Sequence, residues 1–279
     1  MSSAMTPLVV TATPNICWLH PEITYPRTPS EMAAEAQRCE DAGASILHMH
    51  ADDWASSIAA VREATGLIVQ CGMSSLPIGE RTEVFEQRAD MISIITSHYD
   101  EAFAELDVHA LHPREELLEY VALSTEHGVK LEYEIWHPGS IWNLRYMIEQ
   151  TAVAPPHFTS LFFGWPGGTW SPPTIDEYLR RRAQLPPDCV ATVSVMGPEQ
   201  VRLLATAIVE GDHVRVGTED YPFDPAGDAV ATHVLVAEVV RLAEAIGRPV
   251  ATPAEAREII GLPVATAAPF ATGTGPPAD

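Results

Sequence analysis

Eight times along this 279-residue chain a short apolar or β-branched run gives way to a longer stretch of helical period, at a spacing of about thirty residues. The runs are LVVTATP (8–14), SILHMHA (45–51), LIVQCG (67–72), MISII (91–95), KLEYEIW (130–136), FTSLFFG (158–164), CVATVSVM (189–196) and HVRVGTE (213–219). Helical patterns lie between them, including TPSEMAAEAQRCEDAG, with Thr28 or Ser30 as its start and Gly43 as its stop. PREELLEYVALSTEHG, PTIDEYLRRRAQL, GPEQVRLLATAIVEG and AVATHVLVAEVVRLAEAIG read the same way. Eight β/α units that close on themselves make a TIM (β/α)8 barrel, the α/β fold expected here, although a doubly wound open sheet would give much the same string.

With 46% hydrophobic residues and a mass of 30.3 kDa, the chain can bury one large core. A single barrel domain over residues 1–265 is the economical reading. Residues 266–279, rich in Pro, Gly and Ala, lack the apolar content for packing and read as a flexible or subunit-contacting tail. The formal charge of −22 repels phosphate backbones and anionic lipid, which argues against nucleic-acid and membrane partners. Cys17, Cys39, Cys71 and Cys189 form no CxxC and no cluster, which suits a reducing cytoplasm. No leader pattern and no membrane-spanning apolar segment is expected.

In a barrel, chemistry gathers where the strands end, because the loops there converge over one mouth. His48 and His50 are two apart on the second strand, so both point the same way. Two neutral imidazoles plus a carboxylate with open positions suit a catalytic divalent metal; the plain alternative is a hydrogen-bonded pair in a polar interior. VRVGTED favours the metal, because Arg215, Gly217 and Glu219 alternate onto one face of the last strand and Glu219 can supply the third ligand. Asp220, held ionised and correctly aimed by Arg215, is then a candidate base for a proton beside a carbonyl, against the simpler reading of a structural ion pair.

Glu132 and Glu134 share one face of the fifth strand, where inward carboxylates need partners. Glu134 lies nearer the mouth and is the catalytic candidate, with Glu132 as a substrate contact. The GMSS loop offers Met73 and Ser74, the GWPGG loop offers Gly167 and Gly168, and His98 with Tyr99 and Trp136 with His137 are expected to line the mouth.

Taken together, GASILHMH, LEYE, GWPGG, HVRVGTED and the closing AIGRPVATPAEAREIIGL resemble the β-keto acid cleavage enzyme family, whose best-known type is the 3-keto-5-aminohexanoate cleavage enzyme. The resemblance runs from about residue 7 to residue 262. It implies a zinc-dependent barrel, usually tetrameric, that reacts a β-keto acid with acetyl-CoA to give acetoacetate and a new acyl-CoA. It places the zinc ligands on His48, His50 and Glu219, and the carbanion-generating aspartate and its arginine on Asp220 and Arg215. The inward glutamate of the fifth strand matches the LEYE pair.

The departures are also specific. The family's HxHxR has Asp52 in place of its arginine, Pro198 stands where the family often carries another, CGMSS replaces a Ser-Thr-Gly-Gly turn, and ITSH replaces Asn-x-Gly-Thr. An acidic residue in the first loop has no match near Trp18. Two missing cations in an acidic chain imply a less anionic substrate. They also keep open a CoA-independent metal lyase or hydrolase and a silent metal-holding binding protein. His2Glu sites accept Fe2+ and Mn2+ as well as Zn2+.

Overall fold

The computed structural model describes residues 5–15, 21–74, 76–103, 106–151, 153–164 and 170–262. In chain order the strands and helices are β1 (Val10–Ala12), α1 (Pro29–Asp41), β2 (Ile46–Met49), α2 (Trp54–Ala64), β3 (Ile68–Gly72), the short α3 (Ile78–Arg81) and α4 (Glu83–Glu86), and β4 (Met91–Ile95). A hairpin follows, β5 (Tyr99–Phe103) and β6 (Leu106–Ala110), then α5 (Arg114–His127), β7 (Lys130–Ile135), α6 (Pro138–Gln150), β8 (His157–Gly164) and α7 (Ile175–Arg182). The chain continues through β9 (Cys189–Met196), α8 (Gln200–Glu210), β10 (His213–Val216), α9 (Thr232–Ile246) and α10 (Pro253–Ile260).

Eight of these strands form a closed parallel barrel in the order β1-β10-β9-β8-β7-β4-β3-β2, with β1 pairing β2 to complete the ring. The closed TIM barrel is the expected fold, and each of the eight predicted runs overlaps a barrel strand. The tail, residues 266–279, lies outside the described residues.

Strand parity explains both the fold and the site. On one face of the strands Val10, Leu47, Val69, Ile92, Leu131, Leu161, Val193 and Val214 join helix residues such as Ala36, Val61, Leu144, Leu204 and Val236 in one apolar cluster between barrel and helices. The opposite parity points inward, and its middle layer is polar and fully enclosed: Thr11, His48, Gln70, Ser93, Glu132, Ser160, Thr192 and Arg215 are all at most 1% exposed. Dispersion and burial of the outer face stabilise the shell. Such an interior is costly unless its groups satisfy one another, which makes it a place for chemistry rather than for stability.

Below that layer Ile46, Ile68, Met91 and Phe158 pack with Ala256 and Ile260 of α10, which closes the floor. The chain is drawn in there by the Leu8 amide donating to the Pro249 carbonyl at 2.7 Å and the Ala251 amide to the Leu8 carbonyl at 2.8 Å. Helix boundaries follow local chemistry. Thr28, not Ser30, caps α1, accepting from the Glu31 amide while the Glu31 carboxylate reaches back, and Gly43 takes φ 107° just past the end.

The hairpin was not anticipated. The residues between its strands, Ala104 and Glu105, are not the Asn-Gly or Asp-Gly pair by which short hairpins announce themselves. Arg81 ties its base, donating to the carbonyls of Leu76 and Leu111 at 2.8 Å each.

One buried imidazole sets an acid limit on stability. His213 is 3% exposed, and its Nδ1 accepts the Val9 amide at 3.0 Å. Burial and then Arg248 push its pKa down to about 3 from 6.5. The unfolded chain therefore binds a proton that the folded chain refuses, so stability falls as pH drops below 6.5, at about 1.4 kcal/mol per pH unit for this group. Urea midpoints at pH 7 and pH 5 will show the decline, and His213→Gln will remove its share while buried His112, also pushed down to about 3, keeps its own.

Candidate metal centre

The polar layer culminates where β2, β3 and the loop after β10 meet. The β2 pair sits as its spacing requires: His48 and His50 present their Nε2 atoms to each other at 3.3 Å, with ring centroids 5.2 Å apart at 72°. Glu219 faces both, one carboxylate oxygen 3.4 Å from His50 Nε2 and the other 3.5 Å from His48 Nε2.

Glu219 does not arrive by strand alternation, which corrects the sequence reading. The last strand stops at Val216, and residues 217–220 form a turn in which the amides of Asp220 and Tyr221 both donate to the Gly217 carbonyl at 3.1 Å. The turn is pinned to the end of β1. The Glu219 amide donates to the Thr13 carbonyl at 3.1 Å, and Thr218 Oγ1 donates to the Pro14 carbonyl at 2.9 Å. Gly217 is needed for that approach, since a Cβ there would lie 2.3 Å from the Thr13 carbonyl oxygen.

Three observations test whether this cluster fits a metal ion. A tetrahedral ion with bonds of roughly 2.0–2.1 Å sets its donors roughly 3.3–3.4 Å apart; here the two Nε2 atoms are 3.3 Å apart, and each has its own Glu219 oxygen, at 3.4 Å from His50 and 3.5 Å from His48. Glu219 Oε2 is buried and makes no hydrogen bond. Finally, Gly72 of β3 faces the cluster, where a Cβ would fall 2.6 Å from His50 Cε1 and 2.7 Å from each Nε2. The residues fit a small divalent cation. Among the described residues this is the one such group of His, Cys, Asp and Glu side chains. Gly72→Ala should therefore displace the imidazoles and abolish metal retention while the barrel still folds, as elemental analysis and circular dichroism together would report.

Arg215 joins this cluster to the next carboxylate. Its Nη2 lies 2.7 Å from Glu219 Oε1 and donates to Asp220 Oδ1 at 2.9 Å, while its Nε contacts both Asp220 oxygens at 3.1 and 3.2 Å. Ser194 Oγ adds a hydrogen bond to Asp220 Oδ2 at 2.9 Å. The two carboxylates respond differently. Burial would raise Glu219, but Arg215 and then the two histidines hold it well below the usual range, as a ligand requires. Burial dominates at Asp220 and raises its pKa against Arg215, as suits a base. His48 is pushed down by burial and stays neutral.

Glu134 accepts from Trp136 Nε1 at 3.1 Å and is raised by burial, opposed by Arg215. Glu132 is enclosed: Gln70 Nε2 donates to one oxygen at 2.6 Å and Ser160 Oγ to the other. Burial, opposed by Arg215, pushes it up to about 8. Met73 is buried, and Ser74 Oγ accepts the Ile95 amide at 3.1 Å beside the strand end. His98 is exposed, its Nδ1 accepting the His112 amide at 2.8 Å at the base of the hairpin. Gly167 and Gly168 lie outside the described residues.

Sequence reasoning passed over Gln70, Ser194 and Asn15. Asn15 clamps the end of β2, donating to the His50 carbonyl at 2.6 Å and accepting the His50 amide at 2.9 Å. Gln70 is a polar residue of inward parity inside an otherwise apolar run, which was the available signal.

Among the described residues, two clefts lie at the mouth. One of about 400 Å3 reaches His50 and is lined by Asn15, Arg27, Asp52, Asp53 and Trp54. The other, of about 540 Å3, is mostly apolar, with Trp170, Pro172, Met196, Pro198 and Tyr221.

Known proteins are similar to this chain. The 3-keto-5-aminohexanoate cleavage enzyme of Acetoanaerobium sticklandii is 30% identical over 255 residues, spanning 86% of this chain and 91% of the relative. The enzyme of the same name from Fusobacterium nucleatum is 31% identical over 253 residues, spanning 84% and 89%. The fold matches that of ObcA in a binary complex with oxaloacetate, with a TM-score of 0.69 at 17% identity over 85% of this chain and 67% of that one. Residues 7–262 match the family model described as beta-keto acid cleavage enzyme, and the chain belongs to that family.

Proposed function

We propose that this protein holds a divalent metal, zinc by preference, on His48, His50 and Glu219. We further propose that it exchanges acyl groups between a β-keto acid and acetyl-CoA, giving acetoacetate and a new acyl-CoA. The observation that carries this is the single Arg215 guanidinium bridging the ligand Glu219 and the neighbouring Asp220. Relatives named for the reaction support it: 3-oxoadipate:acetyl-CoA acetyltransferase of Cupriavidus necator and 3,5-dioxohexanoate:acetyl-CoA acetone transferase of Paraburkholderia graminis.

When bound, the ion polarises the keto carbonyl and favours negative charge on its oxygen. Asp220, aimed by Arg215 and Ser194, takes the proton from the carbon between the keto group and the carboxylate. That carbon attacks the thioester carbonyl of acetyl-CoA and displaces the CoA thiolate. The thiolate adds to the original keto carbonyl, the bond between that carbonyl and the carbon that attacked the thioester breaks, and the acyl-CoA leaves. Asp220 returns its proton to the carbon, which departs as acetoacetate. Glu134, holding a proton more readily than an ordinary glutamate, donates to the substrate's carboxylate. Ser74 and Met73, at the end of β3, supply substrate contacts.

With Asp52 and Pro198 in place of arginines, the preferred keto acid carries an uncharged side chain, which the apolar cleft accommodates. The enzyme works in the cytoplasm as a tetramer; among the described residues no helix is long and apolar enough to cross a membrane. The deciding assay incubates zinc-loaded protein with acetyl-CoA and a panel of β-keto acids, and quantifies acetoacetate and acyl-CoA by mass spectrometry. Equimolar formation of both, abolished by a chelator, is expected. Turnover that proceeds equally without CoA would replace this reading with a CoA-independent lyase, and no turnover of any keto acid would remove it.

A further inference from the structure

We infer that Gln70 and Glu132 form a directional relay that fixes which nitrogen of His48 faces the metal position. The inference rests on the metal reading above and extends it to residues that are not themselves metal ligands.

The relay is read from three contacts. Ser160 Oγ and Gln70 Nε2 donate to the two oxygens of Glu132, the latter at 2.6 Å, and Gln70 Oε1 lies 2.9 Å from His48 Nδ1. All four side chains are at most 1% exposed, so no solvent competes for these bonds. An amide has two distinct ends, and Glu132 decides which end is which. A carboxylate only accepts, so the NH2 of Gln70 turns toward it. A protonated Glu132 gives the same answer when its proton lies on the oxygen facing Ser160, because a serine hydroxyl accepts as well as donates. The carbonyl end of Gln70 is thereby forced onto His48 Nδ1. It can only accept, so Nδ1 carries the imidazole proton. Nε2, 3.3 Å from His50 Nε2 and 3.5 Å from Glu219, is left with its lone pair directed at the cluster. Glu132 therefore orients a metal ligand through an intervening amide, and Gln70 and Glu132 are positioning residues. Partners of this kind are worth roughly 10- to 100-fold in metal affinity.

The test reads the proton directly. Full-length protein labelled with 15N-histidine and stripped of metal would be examined by two-bond 1H–15N correlation, with His48 identified by comparison with His48→Gln. Zinc(II) affinity would be measured separately by competition with a chelating dye. The wild-type protein should show the Nδ1–H tautomer at His48. Gln70→Leu should show a mixture of tautomers and bind zinc about 10- to 100-fold more weakly, and Glu132→Leu should follow it. Glu132→Gln should stay close to wild type, because its carbonyl can still accept from Gln70 while its NH2 faces Ser160. An Nε2–H tautomer in the wild-type protein overturns the relay without any variant, even if Gln70→Leu fails to fold. So does a folded Gln70→Leu with unchanged tautomer and unchanged zinc affinity. If His50→Ala binds zinc as tightly as wild type, the metal reading fails instead, and the tautomer result stands by itself.

Discussion

Asp220→Asn will lower turnover by about 100- to 10,000-fold and leave the metal content of the protein unchanged. The substitution keeps the side chain's size, and its carbonyl still meets Arg215. Ser194, 2.9 Å from the other oxygen, can rotate to accept from the new NH2; the 3.2 Å contact of Arg215 Nε to that position is lost, but Arg215 keeps its Nη2 bond to the carbonyl and its pairing with Glu219. The proton-accepting carboxylate is lost, together with one of the two negative charges that pair with Arg215. A pH profile separates this from a general structural effect. Burial raises Asp220 above an ordinary aspartate, so the wild-type rate should climb with pH along an acidic limb displaced upward from the usual aspartate range. The asparagine variant should lack that limb. Steady-state rates with elemental analysis on the same preparations decide the matter, and turnover within about tenfold of wild type would rule Asp220 out as the base.

Arg215→Leu will have the largest effect on stability, a loss of about 3–5 kcal/mol. Arg215 is 1% exposed and serves two carboxylates that are themselves almost wholly enclosed. Its charge is held in place by Asp220 and Glu219 despite burial, which by itself would expel it. Leucine fills part of the volume against Phe162, whose ring centroid lies 5.0 Å from the guanidinium carbon. It leaves Glu219 and Asp220 facing each other without a cation. Both will then titrate higher in the folded chain than in the unfolded one, so the deficit should be largest at neutral pH and should shrink on acidification toward the ordinary carboxylate range. Urea unfolding of metal-stripped wild type and variant at pH 7 and pH 5 measures both parts, and a difference below about 1 kcal/mol at pH 7 would contradict the bridge.

Much of this was legible before any coordinates. The barrel strands stood out because each is apolar on the face that meets the helices, and the intervening helices carry their own caps, as at Thr28 and Gly43. The HxH pair was readable because period two is a strict geometric rule. Glu219 was found for a partly mistaken reason: alternation was assumed to continue past Val216, whereas a turn anchored on Thr13 delivers the carboxylate. That anchoring joins residues more than two hundred positions apart, and no local pattern encodes it. Gln70 escaped notice because its partners, His48 and Glu132, come from different strands. The β5–β6 hairpin escaped because its connection carries no turn residues.

The floor laid by α10 has a consequence for how the protein comes into being. On the ribosome all eight staves of the barrel emerge before residues 253–260 do, so Ile46, Ile68, Met91 and Phe158, which pack against Ala256 and Ile260 in the finished molecule, remain wet until that helix follows. A nascent chain, or a product cut short before Thr252, is an open-ended cylinder with exposed grease at its base. For such chains, chaperone capture and clumping compete directly with completion.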